Sequence, residues 1–331
     1  MAHRQSEASN NPSAGPTIVP FTPKLAIVIP CFNEEEVLPE TIRRLGLLRD
    51  QLLRLGKIAE GVLYFVDDGS DDRTWQLIES FANQHKNVRG IKLSRNCGHQ
   101  MALLAGLLNA QGDVVISIDA DLQDDLGAIH DMLAAYAAGS DIVYGVRRQR
   151  EADTPFKRVT AEAYYSALQA IGVRLIFNHA DYRLLSRRVI EALRSYKETN
   201  IFLRGLIPQL GFSSALVYYD RKARFAGQSK YPLSKMLALA VEGVTSFSDI
   251  PLKIITVLGL LISLVSFGMA VWALWIRIMS PEAVPGWAST VIPLYMLGGV
   301  QLLCMGVVGQ YLAKIYSETK SRPRFIIEKV L

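Results

Sequence analysis

The apolar and polar positions divide the chain into two regimes. Over residues 24–144, short apolar runs alternate with stretches in which apolar residues recur every three or four positions. The runs at 25–29, 61–66, 88–93, 113–118 and 141–144 predict strands, and the stretches at 34–53, 74–84 and 100–110 predict helices. Pro30 stops the first run, while Asp67-Asp68-Gly69-Ser70 makes a turn after the second and caps the helix that follows. Such repetition predicts an α/β fold, a mainly parallel sheet with helices on both faces. Ligands of these sheets bind at the carboxyl ends of the strands, which is where Asn33, Asp68 and Asp119 fall.

The second regime is apolar. Residues 156–177 carry Phe156, Tyr164, Tyr165, Leu168, Ile171 and Leu175 between Lys157, Arg158 and Arg174, the pattern of an amphipathic helix, and residues 232–248 are a second candidate. Two uncharged runs follow, at 254–276 and 290–312. At about 1.5 Å per residue each is long enough for a hydrocarbon core of about 30 Å, so both predict transmembrane helices. Basic residues flank the outer ends (Lys222, Arg224, Lys230, Lys235 and Lys253 before, Lys314, Lys320, Arg322, Arg324 and Lys329 after), which predicts a multi-pass membrane protein with both termini in the cytoplasm, in the bacterial inner membrane if the resemblance given below holds. The expected division is a disordered tail at 1–23, a catalytic domain at 24–231, an interfacial amphipathic helix at 232–252, two transmembrane helices at 253–313 and a cytoplasmic tail at 314–331.

Composition adds a constraint on partners. The net charge of +5 suits nucleic acid, anionic lipid or a phosphorylated substrate. Its placement beside apolar segments favours membrane lipid and phosphate, without nucleic acid. Cys31, Cys97 and Cys304 are too few and too scattered for a disulfide framework or a CxxC zinc site.

The chemistry gathers after the strands. Asp119-Ala120-Asp121 places two carboxylates at the ligand edge, where they can hold a hard divalent cation, Mg2+ or Mn2+, against a diphosphate. A calcium loop of the EF-hand type is excluded because Asp124 stands where that loop requires glycine. Pro30, Asn33 and Glu34, then Asp67 and Asp68, then residues 95–99 converge on the same edge.

Six ordered motifs carry a resemblance: Ile-Pro-Cys-Phe-Asn-Glu (29–34), Val-Asp-Asp-Gly-Ser (66–70), Ser-Arg-Asn-Cys-Gly-His (94–99), Asp-Ala-Asp-Leu-Gln-Asp (119–124), Asp-Tyr-Arg-Leu (181–184) and Arg-Phe-Ala-Gly-Gln-Ser-Lys (224–230). With these the chain resembles the inverting family 2 glycosyltransferases of GT-A fold, in particular the polyprenyl-phosphate enzymes that include dolichyl-phosphate mannose synthases and bactoprenol glucosyltransferases. The resemblance implies transfer of one sugar, glucose favoured, from a UDP-sugar to undecaprenyl or another polyprenyl phosphate. It places Pro30, Phe32, Glu34, Val66 and Asp68 around the nucleoside, with Asp119, Ala120 and Asp121 at the metal and diphosphate. Arg147, Arg158, Arg224, Ser229 and Lys230 would meet phosphates, and Asp181 would orient the acceptor, take a proton or cap the next helix. The QxxRW motif of processive synthases is absent, which argues against polymerisation. A non-catalytic membrane scaffold or lipid-carrier transport protein is the alternative, and a homo-oligomer is left open.

Overall fold

The computed structural model describes residues 22–148, 179–198, 201, 203–220, 250–279 and 287–331. The segments 156–177 and 232–248, the loop near Pro285, and the site candidates Arg158, Arg224, Ser229 and Lys230 lie outside the described residues.

The first half follows the predicted alternation: β1 (Lys24–Cys31), α1 (Leu38–Arg54), β2 (Glu60–Asp67), α2 (Thr74–Gln84), β3 (Val88–Leu93), α3 (His99–Asn109), β4 (Val114–Ser117), α4 (Ala128–Ala137) and β5 (Ile142–Arg147). Then come β6 (His179–Ser186), α5 (Arg187–Ser195), α6 (Leu203–Gln209), β7 (Ser214–Tyr219), α7 (Ile250–Met279), α8 (Trp287–Thr319) and β8 (Ile327–Val330). Helix α1 shows why these segments fold as they do. A proline opens its first turn, Glu40 lies at the positive end of its dipole, and Leu38, Ile42, Leu45, Leu48 and Leu52 form one buried stripe.

The eight described strands form one mixed sheet in the order β7-β5-β6-β4-β1-β2-β3-β8. β1 is parallel to β2 and β4, β2 to β3, and β5 to β7. β1 is buried along nearly its whole length, so its sequence lacks the alternation of a half-exposed strand. Helices α1, α2 and α4 cover one face, and α3, α5 and α6 the other.

Two strands depart from the simple pattern. β6 runs antiparallel between β4 and β5, reversing the chain in mid-sheet. β8, within the expected cytoplasmic tail, instead pairs antiparallel with β3, with Lys92 opposite Lys329 and Leu93 opposite Ile327. The Ser94 N–H donates to the Ile326 carbonyl and the Leu331 N–H to the Gly90 carbonyl, both at 2.9 Å. Ion pairs Lys92–Glu328 and Lys329–Glu79 flank this added edge.

The multi-pass inner-membrane placement is corrected. Among the described residues no helix is long and apolar enough to cross a membrane. Lys253 stands in the first turn of α7, and Gln301 and Gln310 interrupt the apolar run of α8.

Gly106 marks the tightest packing between α3 and the sheet. A Cβ there would lie 2.3 Å from Val28 Cγ1 and 2.8 Å from Val66 Cγ2. Gly106→Ala gains about 1 kcal/mol of helix propensity, but overpacking against two stiff β-branched residues costs more. We expect a net loss of about 2 kcal/mol, seen as a melting midpoint roughly 5 °C lower. An unchanged or raised midpoint would refute this account of the α3 interface.

Candidate active site

The turns after β1 and β2 are stitched together by side chains that accept backbone hydrogens. Asn33 has a left-handed backbone (φ 55°), its N–H donates to Ser70 Oγ at 3.0 Å, and its Oδ1 accepts from the Asp71 N–H at 2.9 Å. The Glu34 N–H donates to Thr74 Oγ1 at 2.9 Å. Asp68 reaches the next loop, where its carboxylate accepts from the N–H groups of Cys97 (2.7 Å) and Gly98 (2.9 Å). Burial pushes the Asp68 carboxyl up from its usual value, partly offset by those two amides.

The Asp68 clasp sets the start of α3 and thereby His99. His99 Nε2 stands 3.6 Å from Asp119 Oδ1 and 3.5 Å from Asp181 Oδ2. The acidic loop beyond β4 is tied to α1 by Thr41 Oγ1, which donates to the Ala120 carbonyl at 2.8 Å. Within the loop the Gln123 N–H donates to Asp121 Oδ1 at 3.2 Å, and Leu122 takes a left-handed backbone (φ 56°). Burial, reinforced by Asp124, Asp181 and Asp121, raises the Asp119 carboxyl to about 6 against the pull of His99.

Asp181 enters from the reversed strand β6. Its carboxylate accepts from Arg183 and Gln100 and from both Nε and Nη2 of Arg204, the latter at 3.2 and 2.9 Å. Burial alone would raise its pKa, but His99, Arg183 and Arg204 outweigh that and hold it well below the carboxylate range. At the ends of β5 and β7, Arg147 Nε donates to Tyr219 Oη at 3.3 Å and its Nη2 to Asp124 Oδ1 at 3.4 Å.

Several sequence candidates are thus gathered at one edge: Asp68, Asp119, Ala120, Asp121, Arg147 and Asp181. Phe32 is exposed there and Glu34 is half-buried. Pro30 and Val66 are register partners inside the sheet, both buried, with the Val66 side chain sealed beneath α3. Arg204, Gln100 and Tyr219 were missed, because an isolated Arg, Gln or Tyr outside a motif carries no signal until the sheet brings it beside a carboxylate.

The acidic pair fits a divalent cation. Asp119 Oδ1 is buried without a hydrogen-bond partner among the described residues, an acceptor that a hard cation would satisfy. Among the described residues no group of three or more His, Cys, Asp or Glu side chains could hold a metal on its own.

A mainly parallel sheet with carboxylates and guanidinium groups gathered at its carboxyl edge places the chain among α/β proteins that bind their ligands at that edge. The chain belongs to glycosyl transferase family 2, whose profile matches residues 26–194, and it is a glycosyltransferase. It is similar to the uncharacterized glycosyltransferase YkoT of Bacillus subtilis, with 50% identity over 92% of this chain and 91% of that protein. It is also similar to the bactoprenol glucosyl transferase of Shigella phage SfX, with 38% identity over 92% of this chain and 99% of that protein. Among solved structures, glucosyl-3-phosphoglycerate synthase of Mycobacterium tuberculosis, in complex with Mn2+, UDP and glucosyl-3-phosphoglycerate, aligns at a TM-score of 0.44 with 19% identity, over 67% of this chain and 77% of that one.

The crowding at Asp119 generates a prediction. A carboxyl raised from 3.8 to about 6 binds its proton more readily folded than unfolded, so its cost is full above about pH 6 and vanishes below the unfolded value. The side chain is 35% exposed, which screens the cost to about 1 kcal/mol. Asp119→Asn should therefore raise the melting midpoint by a few degrees at pH 7.5 in EDTA, and the gain should shrink at pH 4.5. A lower midpoint at pH 7.5 would show that the carboxylate is not under strain.

Proposed function

We propose that the protein transfers one hexose, glucose by preference, from a UDP-sugar to a polyprenyl phosphate, with inversion at the anomeric carbon. The observation that carries this reading is the Asp119–Asp121 pair, in which Asp119 Oδ1 is buried with no hydrogen-bond partner among the described residues, in a chain whose likeness to a bactoprenol glucosyl transferase runs through 99% of that protein.

The acceptor phosphate has a second ionisation near pH 6 and is largely a dianion at neutral pH, so it needs no strong general base. One of its oxygens bonds to the anomeric carbon as the bond from that carbon to the UDP oxygen breaks, and UDP leaves with the electron pair. Residues 32–34 and the loop clasped by Asp68 border the nucleoside side. Arg147 faces the leaving diphosphate as a charge-assisted donor. A Mg2+ or Mn2+ ion held by Asp119 and Asp121 would neutralise the diphosphate charge. Asp181, engaged by Arg183, Arg204 and Gln100, anchors these groups and is poorly suited to accept a proton.

The acceptor side rests on Arg158, Arg224, Ser229 and Lys230, where Gly227 allows close backbone approach and Arg, Ser and Lys supply donors. A polyprenyl tail also needs apolar surface. Helices α7 and α8 expose Leu260, Phe267 and Trp272, and Leu302, Met305 and Leu312.

The test offers a panel of radiolabelled nucleotide sugars with undecaprenyl phosphate and reads label in the lipid phase. UDP-glucose should be the best donor, and EDTA should abolish transfer. Transfer to water-soluble acceptors alone would sink the acceptor assignment. Asp121→Asn should lose at least about a hundredfold in turnover while keeping its melting midpoint, since a neutral amide cannot balance cation and diphosphate. Near-normal turnover in that variant would remove the acidic pair from the reaction.

A further inference from the structure

β5 and β7 are parallel neighbours whose last residues, Arg147 and Tyr219, are register partners at the carboxyl edge. The Arg148 N–H donates to the Tyr219 carbonyl at 3.0 Å and fastens the two strand ends together. Above them, Asp124 comes down from the acidic loop. Its Oδ1 accepts from the Tyr219 hydroxyl and from Arg147 Nη2, while Arg147 Nε donates to that same hydroxyl. The three side chains therefore form a closed triangle.

The triangle is rigid on one side and open on the other. The Tyr219 ring is buried and meets Tyr182 edge-on at 5.2 Å and 84°, and Tyr182 in turn donates to the Asp125 carbonyl at 3.0 Å. Asp124 has 1% of its side chain exposed, whereas Arg147 keeps 19%. The guanidinium is thus the most open of the charged members. Its Nη1 has no partner among the described residues. The remaining edge of the fork is available to a phosphate oxygen, the geometry in which arginine surpasses lysine.

We propose that Tyr219 is a positioning residue for the donor diphosphate: its hydroxyl, bridging Asp124 and Arg147, fixes the guanidinium in the orientation that meets a phosphate. The inference rests on the reading of Arg147 as a donor-phosphate contact. A guanidinium held at two points loses little rotamer freedom on binding, so its bond to phosphate keeps most of its strength. Without the hydroxyl, Arg147 retains only Asp124 and can fold back onto that carboxylate, away from the ligand. A purely structural triangle would instead affect folding and leave ligand affinity unchanged.

Tyr219→Phe keeps the ring and removes the bridge. The readouts are the Kd for UDP by calorimetry in Mg2+ buffer, kcat and KM for UDP-glucose, and the melting midpoint. We expect UDP affinity to fall roughly tenfold and KM to rise by a similar factor, with kcat changed less and the midpoint nearly held. Arg147→Ala should lose at least as much, and the double variant should be no worse than Arg147→Ala alone, because Tyr219 acts through that side chain. Losses that multiply in the double variant, or a Tyr219→Phe protein that binds UDP like wild type, overturn the proposal. Should Tyr219→Phe fail to fold, Asp124→Asn loosens the same anchor, and wild-type UDP affinity in that variant overturns it equally. A wild-type protein that binds no UDP would instead remove the function on which the inference rests.

Discussion

Asp119, Asp121, Asp124 and Asp181 lie within electrostatic reach of one another at a partly buried edge, and like charges in such surroundings repel several times more strongly than in water. The rest of the site is organised by the need to hold them there. Arg183 and Arg204 face Asp181, Arg147 and the Tyr219 hydroxyl face Asp124, and His99 stands between Asp119 and Asp181. Among the described residues, one buried oxygen of Asp119 and one of Asp124 have no hydrogen-bond partner. A ligand that satisfied such a deficit would relieve a cost already present in the free protein.

The sheet delivers those charges through its departures from regularity. Were β6 parallel and fed by an ordinary crossover, Asp181 and Arg183 would arrive at the opposite end of the strand. By running antiparallel between β4 and β5, it sets Arg183 against Ser117 of β4 and Tyr144 of β5. The Arg183 guanidinium can then be fully buried with Asp181 as its counterion. β8 has a comparable role on the other flank. It covers the edge of β3 immediately before the loop whose amides clasp Asp68, so the chain's last residues brace a segment of the site more than two hundred positions earlier.

Of the residues proposed for the donor, those in turns and those in strands have different standings. Phe32 and Glu34 follow β1 in a turn shaped by Asn33, the first exposed and the second half-buried, whereas Val66 lies in the sheet core against Gly106. A motif names both kinds alike, since it records which residues occur together and not which atoms reach the surface. Only packing separates a residue that shapes the pocket from one that lines it.

Much was legible from sequence because it depends on local chemistry. The alternation of apolar runs with helical periodicity determined β1 to β5 and the first helices nearly to their ends, and it placed the acidic turns after the strands, since strand–turn–helix units carry their own signals of period and capping. Tertiary structure decided what depends on residues far apart in the chain. The reversal of β6, the return of β8 to β3, and the partners of Asp181, which come from α3 and α6 as well as its own strand, leave no mark in any short window of sequence. The apolar runs near the end of the chain determined that α7 and α8 would be helices, but not what surrounds them. A helix's own residues state its period, whereas its environment is a property of everything that packs, or fails to pack, against it.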